Sequence, residues 1–321
     1  MGLNLKKICS ELISILPSRQ KEVIEKRFGL FGKEKETLES IGKNFGVCRE
    51  RIRQIEEWAL EKIKEKSEEK KEVFDQIFSE FKKRGGVIKE ERLIEEKGRE
   101  ILLFLKLDKR FQKKAQTDAF FTFWTIGKKY NLKAKNFISS LVKFFKKEKR
   151  LLNLKEISKI FKIEKLALSS FLEISKLIGK NEEGFYGLKN WPEISPRGIR
   201  DKAYLVLRKI QKPLHFSEIA KQIEGAKMAT VHNELIKDER FVLVGRGVYA
   251  LTEWGYWPGE VKEIILKILK ENKRPMTKEE ILEKVKKQRL VKPTTVFLYL
   301  YNRNYFEKDE DGRYRPKSAK I

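Results

Sequence analysis

The spacing of apolar residues is helical along almost the whole chain. Apolar residues recur at i, i+3, i+4 and i+7, and two-residue alternation is confined to short patches such as Phe241–Val244 and Gly247–Leu251. Because a 3.6-residue period gives a helix one buried face, this pattern predicts a mainly α fold with small β-hairpins. A chain of 321 residues is also long enough for several small domains.

The clearest local motif is a pair of consecutive helices within Leu38–Ile63. Apolar residues spaced i, i+3 and i+7 give the first helix one buried stripe, and Gly46 follows where a helix-turn-helix makes its turn. The second helix begins near Arg49. Projection at about 100° per residue turns one set of side chains inward: Ile52, Ile55, Ala59 and Ile63. The opposite face carries Arg49, Glu50, Arg53, Gln54 and Glu57.

The exposed face of this second helix has the side-chain types that recognise base edges in the major groove. Arginine pairs with guanine, glutamine with adenine, and glutamate accepts from cytosine. The alternative interpretation is an ordinary solvated face, since Arg and Glu four residues apart also stabilise isolated helices.

Three segments, Leu16–Leu30, Thr37–Val47 and Arg49–Glu56, together resemble region 4 of sigma-70 family factors. The resemblance covers residues 12–65. It implies a helix-turn-helix that recognises the −35 promoter element and touches the β-flap of core RNA polymerase. By this resemblance, three residues would read bases: Arg49, Glu50 and Gln54. Three others would hold phosphates or the polymerase: Lys43, Arg51 and Arg53.

Two departures from the family pattern qualify this resemblance. Cys48 stands where the family usually has Thr or Ser, and a thiol is a poor N-cap, so the start of the reading helix is expected to be less stable by up to about 1 kcal/mol. No segment resembling sigma regions 2 or 3 is recognised before this module. The resemblance therefore predicts promoter-type DNA binding and polymerase contact rather than a complete sigma factor.

A loose repeat follows the charged segment Glu61–Glu72. Each unit has a long apolar helix, two shorter helices and a hairpin, which is the winged-helix plan. In the second unit the predicted helices are Ala134–Lys147, Leu154–Phe161 and Lys165–Leu177. The predicted boundaries are 1–66 for the helix-turn-helix domain, 67–72 for a charged helical connector, and 73–130, 131–192, 197–257 and 258–317 for tandem winged-helix units with small β-hairpin wings.

The third unit, residues 197–257, resembles the HARE-type helix-turn-helix through Lys212–Ala220 and Arg240–Leu251. That family includes the N-terminal domain of the RNA polymerase delta subunit. The candidate reading helix is Ala229–Lys237, with a wing tip after it. Candidate DNA contacts in this second module are Thr230, His232, Asn233, Lys237 and Arg246. For His232, packing against a neighbour is an equally good explanation.

Composition supports a polyanionic partner and argues against catalysis. The chain has 73 Lys and Arg against 47 Asp and Glu, a net charge of +26, which favours nucleic acid, although a generally lysine-rich surface would look the same. Two cysteines and two histidines do not supply a metal site or a catalytic triad, and no phosphate-binding glycine loop is present. We therefore expect no enzymatic activity, catalytic residue, metal, cofactor or small-molecule ligand. Without a signal peptide or an apolar stretch of membrane-spanning length, a cytoplasmic location is expected.

The sequence thus predicts a transcription protein that binds double-stranded DNA through a sigma region 4-like domain, with RNA polymerase as the second partner. Two alternatives remain open. In one, the winged-helix units form a polymerase-associated scaffold that binds protein rather than DNA. In the other, the chain is the DNA-targeting subunit of a modification or restriction system.

Overall fold

The computed structural model describes residues 4–272 and 274–317 and is mainly α-helical with small antiparallel sheets, as the apolar spacing predicts. The chain forms two compact units, Met1–Asn190 and Trp191–Ile321. In the described part, no helix is both long and apolar enough to cross a bilayer.

The first compact unit begins with four helices that form the predicted helix-turn-helix region. They are α1 (Leu5–Ile13), α2 (Ser18–Phe28), α3 (Leu38–Phe45) and α4 (Arg49–Ser67). A 3₁₀ turn at Glu68–Lys70 then leads directly into the next helix. The charged segment after Glu61 is therefore helical, although Ser67 within it is buried.

Two helix-and-sheet repeats complete the first compact unit. The first contains α5 (Lys71–Lys83), β1 (Val87–Lys89), α6 (Glu90–Lys97), α7 (Ile101–Leu107), β2 (Gln112–Lys114) and β3 (Phe123–Thr125), in the sheet order β1-β3-β2. The second contains α8 (Lys128–Glu148), β4 (Leu152–Asn153), α9 (Leu154–Phe161), α10 (Lys165–Glu173), β5 (Ile178–Lys180) and β6 (Phe185–Leu188), in the order β4-β6-β5. All of these strand pairs are antiparallel.

Two helix boundaries in the second repeat differ from the prediction. Helix α8 begins at Lys128 rather than Ala134. The prediction began too late because half of residues 128–133 are lysine, and this segment has no apolar stripe that indicates a helix. Helix α10 ends at Glu173 rather than Leu177. There the backbone leaves the helix to pair with a distant loop: the Phe121 N–H donates to the Ile174 carbonyl at 2.9 Å. The hydrogen bond that ends α10 involves a distant segment, so local apolar spacing could not predict it.

The second compact unit contains two further repeats, each with three helices followed by a pair of strands. Its elements are α11 (Gly198–Ile210), β7 (Leu214–His215), α12 (Phe216–Lys221), α13 (Met228–Lys237), β8 (Phe241–Gly245) and β9 (Val248–Leu251), then α14 (Val261–Asn272), α15 (Lys278–Gln288), α16 (Pro293–Leu300), β10 (Phe306–Lys308) and β11 (Tyr314–Pro316). The first sheet has the order β7-β9-β8, and the second pairs β10 with β11.

The helix-turn-helix region and the first repeat share one hydrophobic core. Side chains of α1 and α2, such as Leu12 and Ile24, belong to the same buried cluster as Phe81 and Phe104. A polar contact adds to it, because the buried carboxylate of Glu100 accepts a hydrogen bond of 3.2 Å from the Phe31 N–H. The helix-turn-helix region is thus packed against the first repeat through this shared core.

Candidate nucleic-acid interface

The turn between α3 and α4 is tightly specified by its residues. Thr37 caps α3, accepting a hydrogen bond of 3.1 Å from the Ser40 N–H. Gly46 ends α3 with φ at 66°, a left-handed conformation that glycine adopts without strain. Gly42 is needed for a different reason: a Cβ there would lie 2.6 Å from the Val47 carbonyl oxygen. The chain therefore reverses closely enough to set α4 against α3.

A small apolar cluster holds α4 in place. Ile52 and Ile55 of α4 are buried against Val23 of α2 and Ile41 of α3. Ala59 and Ile63, further along α4, are buried in the larger core. The predicted inward-facing set is therefore confirmed.

The opposite face of α4 brings the predicted base-reading residues together. Arg49 and Glu50 are exposed, and Gln54 is half-buried. Within residues 4–272 and 274–317, Arg49 forms no hydrogen bond or ion pair, so its guanidinium keeps its full donor capacity. Gln54 is oriented by a neighbour, because its Oε1 accepts a hydrogen bond of 3.1 Å from Arg51.

The arginines assigned to phosphate contacts are already held by neighbours. The Arg53 guanidinium donates to Glu50, at 2.7 Å, and to Glu57. The hydrogen bond with Glu50, followed by charge attraction from Glu50 and Glu57, raises the pKa of Arg53. The same bond lowers the pKa of Glu50. The Arg51 guanidinium lies 5.3 Å from the ring centre of Trp58, an exposed aromatic residue.

Two further features border this face. Lys43, on α3, is exposed and lies 3.8 Å from Glu39. Cys48 occupies the N-cap of α4 with extended backbone angles, and its side chain makes no capping hydrogen bond. The N-terminus of α3 therefore has a side-chain cap, from Thr37, and the N-terminus of α4 lacks one. This difference agrees with the expectation that Cys48 is a poor N-cap.

In the second compact unit, the candidate residues of the second module do not share one environment. Thr230, Asn233 and Lys237 are exposed on α13, and Arg246 is exposed at the turn between β8 and β9. His232 is different. Its ring stacks on Phe216 with centroids 4.6 Å apart and meets the edge of Tyr249 at 5.9 Å. This geometry favours the interpretation in which His232 packs within the unit.

The other histidine has a role in starting a helix. The Nδ1 of His215 lies 2.7 Å from the Ser217 hydroxyl, and its backbone N–H donates to the Glu218 carboxylate at 2.9 Å. Among the described residues, no group of three or more His, Cys, Asp or Glu is arranged to hold a metal ion.

The third helices of two other repeats have surfaces that sequence spacing did not reveal. On α10, Phe171 is fully buried, and a Cβ built on Gly85 would lie 2.8 Å from the Cβ of Ala167. One face of that helix is therefore covered by the first repeat, while Leu166 remains 51% exposed. Helix α16 carries no Lys or Arg and instead exposes Leu298 by 73% of its area. Neither helix has the surface of a major-groove reader.

Comparison with known proteins agrees with the geometry of α3 and α4. Residues 12–65 match the family described as Sigma-70, region 4. A 67-residue stretch is 45% identical to the RNA polymerase sigma factor SigA of a Bacillus species. That stretch covers 21% of this chain and 18% of the sigma factor. The resemblance is thus confirmed for this region, which is similar to a DNA-binding helix-turn-helix of transcription factors that act with RNA polymerase.

Proposed function

We propose that this protein is a non-enzymatic transcription protein that binds double-stranded DNA in a sequence-specific manner, with α4 reading a −35-type promoter element. The observation that carries the proposal is the exposed face of α4. It presents Arg49, Glu50 and Gln54 outward, while Ile52 and Ile55 fix the helix from behind. A second contact, to the β-flap of core RNA polymerase, is proposed from the similarity to sigma region 4.

The chemistry of this face suits the major groove. Arg49 has an unengaged guanidinium for the N7 and O6 atoms of guanine, and the Gln54 amide still has both N–H donors available for adenine N7. Glu50, whose pKa is lowered by its hydrogen bond with Arg53, is a carboxylate that would accept from the amino group of cytosine. The three side chains lie within about one helical turn and a half, so they would address adjacent base pairs.

Selection from random duplexes with the full chain tests base reading directly. We expect wild type to enrich one motif, and Arg49→Ala to lose preference within it. The matched control is Lys62→Ala, which removes an exposed cation three turns further along the same helix. If wild type enriches no motif, base reading is refuted and the helix-turn-helix is only a phosphate clamp.

Capture of core RNA polymerase on the immobilised protein tests the second contact. We expect retention of core polymerase, and competition by the isolated β-flap domain. Retention that the flap domain does not reduce would assign the polymerase contact to another surface.

A second candidate function, a polymerase-associated scaffold, is favoured by α16. Its exposed face carries Leu298 and, just beyond the helix, Tyr301, which are 73% and 68% exposed. Apolar side chains at this position suit a protein surface better than phosphates. Leu298→Glu should then weaken retention of core polymerase and leave duplex binding unchanged, whereas the opposite result would favour DNA as the partner of this unit.

A further inference from the structure

Helix α8 has an exposed polar face with lysines at both ends, which the helix-turn-helix does not explain. Six exposed polar residues lie within about 80° of one another around the helix. They are Lys129, Lys133, Asn136, Ser140, Lys143 and Lys147. Lys128 and Lys146 lie beside this stripe and are also exposed. From Lys129 to Lys147 the stripe is about 27 Å long, given a rise of about 1.5 Å per residue.

The charge on this face is not neutralised within the protein. In the described part of the chain, none of the four stripe lysines forms an ion pair, and Glu148 is the single acidic residue of α8. Some exposed lysines elsewhere are paired along their own helices, as Lys43 is with Glu39 at 3.8 Å. The four stripe lysines of α8 therefore share one face that carries no acidic side chain of its own helix.

The helix is rigidly placed, and it is the accessible long element of its repeat. Its opposite face is buried through Phe137, Ile138, Leu141 and Phe145. One face of α10, the third helix of the same repeat, packs on the first repeat beside Gly85 through Ala167 and Phe171. A nucleic acid that approaches the exposed side of α8 therefore meets its lysines.

We propose that this lysine face of α8 binds the phosphate backbone of duplex DNA, as a second contact that is independent of base reading by α4. Lysine is a point charge on a flexible stem, which suits phosphates and does not discriminate between bases. A duplex carries one charge per about 1.7 Å of its axis, so a straight stripe of about 27 Å passes many phosphates.

Two other polyanions fit this face less well. Single-stranded nucleic acid is held by aromatic side chains that stack on bases, and the aromatic residues of α8 are half-buried or buried. Binding to a membrane surface requires several apolar side chains that enter the lipid boundary. Among the described residues of α8, Leu132 is the one large apolar side chain that is exposed, which is too few for such binding. The inference rests on the proposed function only in the choice of duplex DNA as the partner.

The test compares two quadruple variants of the full chain that remove the same formal charge. One is K129Q/K133Q/K143Q/K147Q. The control is K66Q/K70Q/K278Q/K287Q, whose lysines are exposed or half-exposed and already paired with acidic residues. Glutamine has nearly the helix propensity of lysine, so both variants should fold, which far-UV circular dichroism checks. Binding to a fluorescent 30-base-pair duplex of random sequence is measured by anisotropy at several salt concentrations.

We expect the α8 variant to lose at least about tenfold in affinity near 100 mM salt, and its salt slope to fall by about 3 to 4. The control should stay within about twofold of wild type. Equal affinities and slopes for the two variants would overturn the inference. Selection of a sequence motif by α4 is a separate measurement. If the wild-type protein enriches no motif, base reading is refuted, and the comparison of the two quadruple variants remains valid.

Discussion

The Arg53 guanidinium lies 2.7 Å from the carboxylate of Glu50, three residues earlier on the exposed face of α4. The sequence resemblance assigns these two side chains different roles, Glu50 to a base and Arg53 to a phosphate or the polymerase. In the free protein each neutralises the other, and Glu57 adds a second carboxylate to the same guanidinium. A phosphate contact by Arg53, as we propose it, would therefore compete with these internal partners.

Glu57→Gln is expected to tighten binding to all duplexes. The change removes one internal partner of Arg53 without touching a base-reading residue, so the guanidinium becomes more available to phosphate. Because exposed ion pairs are weak, the gain should be about two- to fivefold. Anisotropy titrations measure the affinity, and duplex selection should return the wild-type motif. A changed motif would show that Glu57 itself reads a base.

Arg49→Ala and Gln54→Ala should each change specificity with little effect on folding. Neither side chain belongs to the buried cluster of Ile52 and Ile55. Each variant should lose about 1 to 3 kcal/mol of discrimination at one or two base pairs of the preferred site. Selection from random duplexes, repeated for each variant, provides the measurement. Should Gln54→Ala keep the wild-type motif, the orientation assigned to this residue is wrong.

Arg53→Ala should behave differently from these two variants. Removal of a phosphate contact is expected to weaken binding to every sequence alike and to lower the salt slope by about one. A loss confined to one base pair would instead place Arg53 among the base readers.

The orientation of α4 was predictable from sequence because it depends on local spacing. Ile52, Ile55, Ala59 and Ile63 recur at helical intervals, and all four are buried in the structure. Gly46 was predictable for the same reason, since a left-handed residue between two short apolar stripes is a local requirement.

The pairing and covering of surfaces were not predictable, because they depend on distant parts of the chain and on side-chain rotamers. Nothing in the spacing of α10 indicates that Ala167 would pack against Gly85 of the first repeat. Helical spacing allowed Arg–Glu pairs on the exposed face of α4, and the structure shows which of them form: Arg53 pairs with both Glu50 and Glu57. The cationic stripe of α8 was missed because its first lysines precede the apolar pattern from which that helix was recognised.

Cys48→Thr should stabilise the start of α4. The N-cap residue has extended backbone angles but makes no side-chain hydrogen bond, and a threonine hydroxyl there accepts from a backbone N–H of the first turn. We expect a gain of about 0.5 to 1 kcal/mol, measured as slower amide hydrogen exchange in that turn. Thr37→Ala is the matched comparison, since it removes a working cap from α3 and should speed exchange there. Unchanged exchange in Cys48→Thr would mean that the first turn is already held by other contacts.

Labelling of Cys48 with a thiol reagent should report DNA binding at the start of α4, because the other cysteine, Cys9, is buried and should not react. Burial, together with the nearby carboxylates of Glu100 and Glu25, raises the pKa of the Cys9 thiol to about 12. At pH 8 only about one Cys9 in ten thousand is then a thiolate, so this residue should not react with a maleimide, whereas the exposed Cys48 should.

Mass spectrometry after brief labelling should therefore find one adduct, at Cys48. A duplex that contains the selected motif should slow this labelling, because the N-cap of a recognition helix lies beside the DNA backbone. Cys48→Ser provides the control and should show no rapid adduct. Labelling of Cys48 at the same rate with saturating specific duplex would contradict the placement of the α4 N-terminus against DNA.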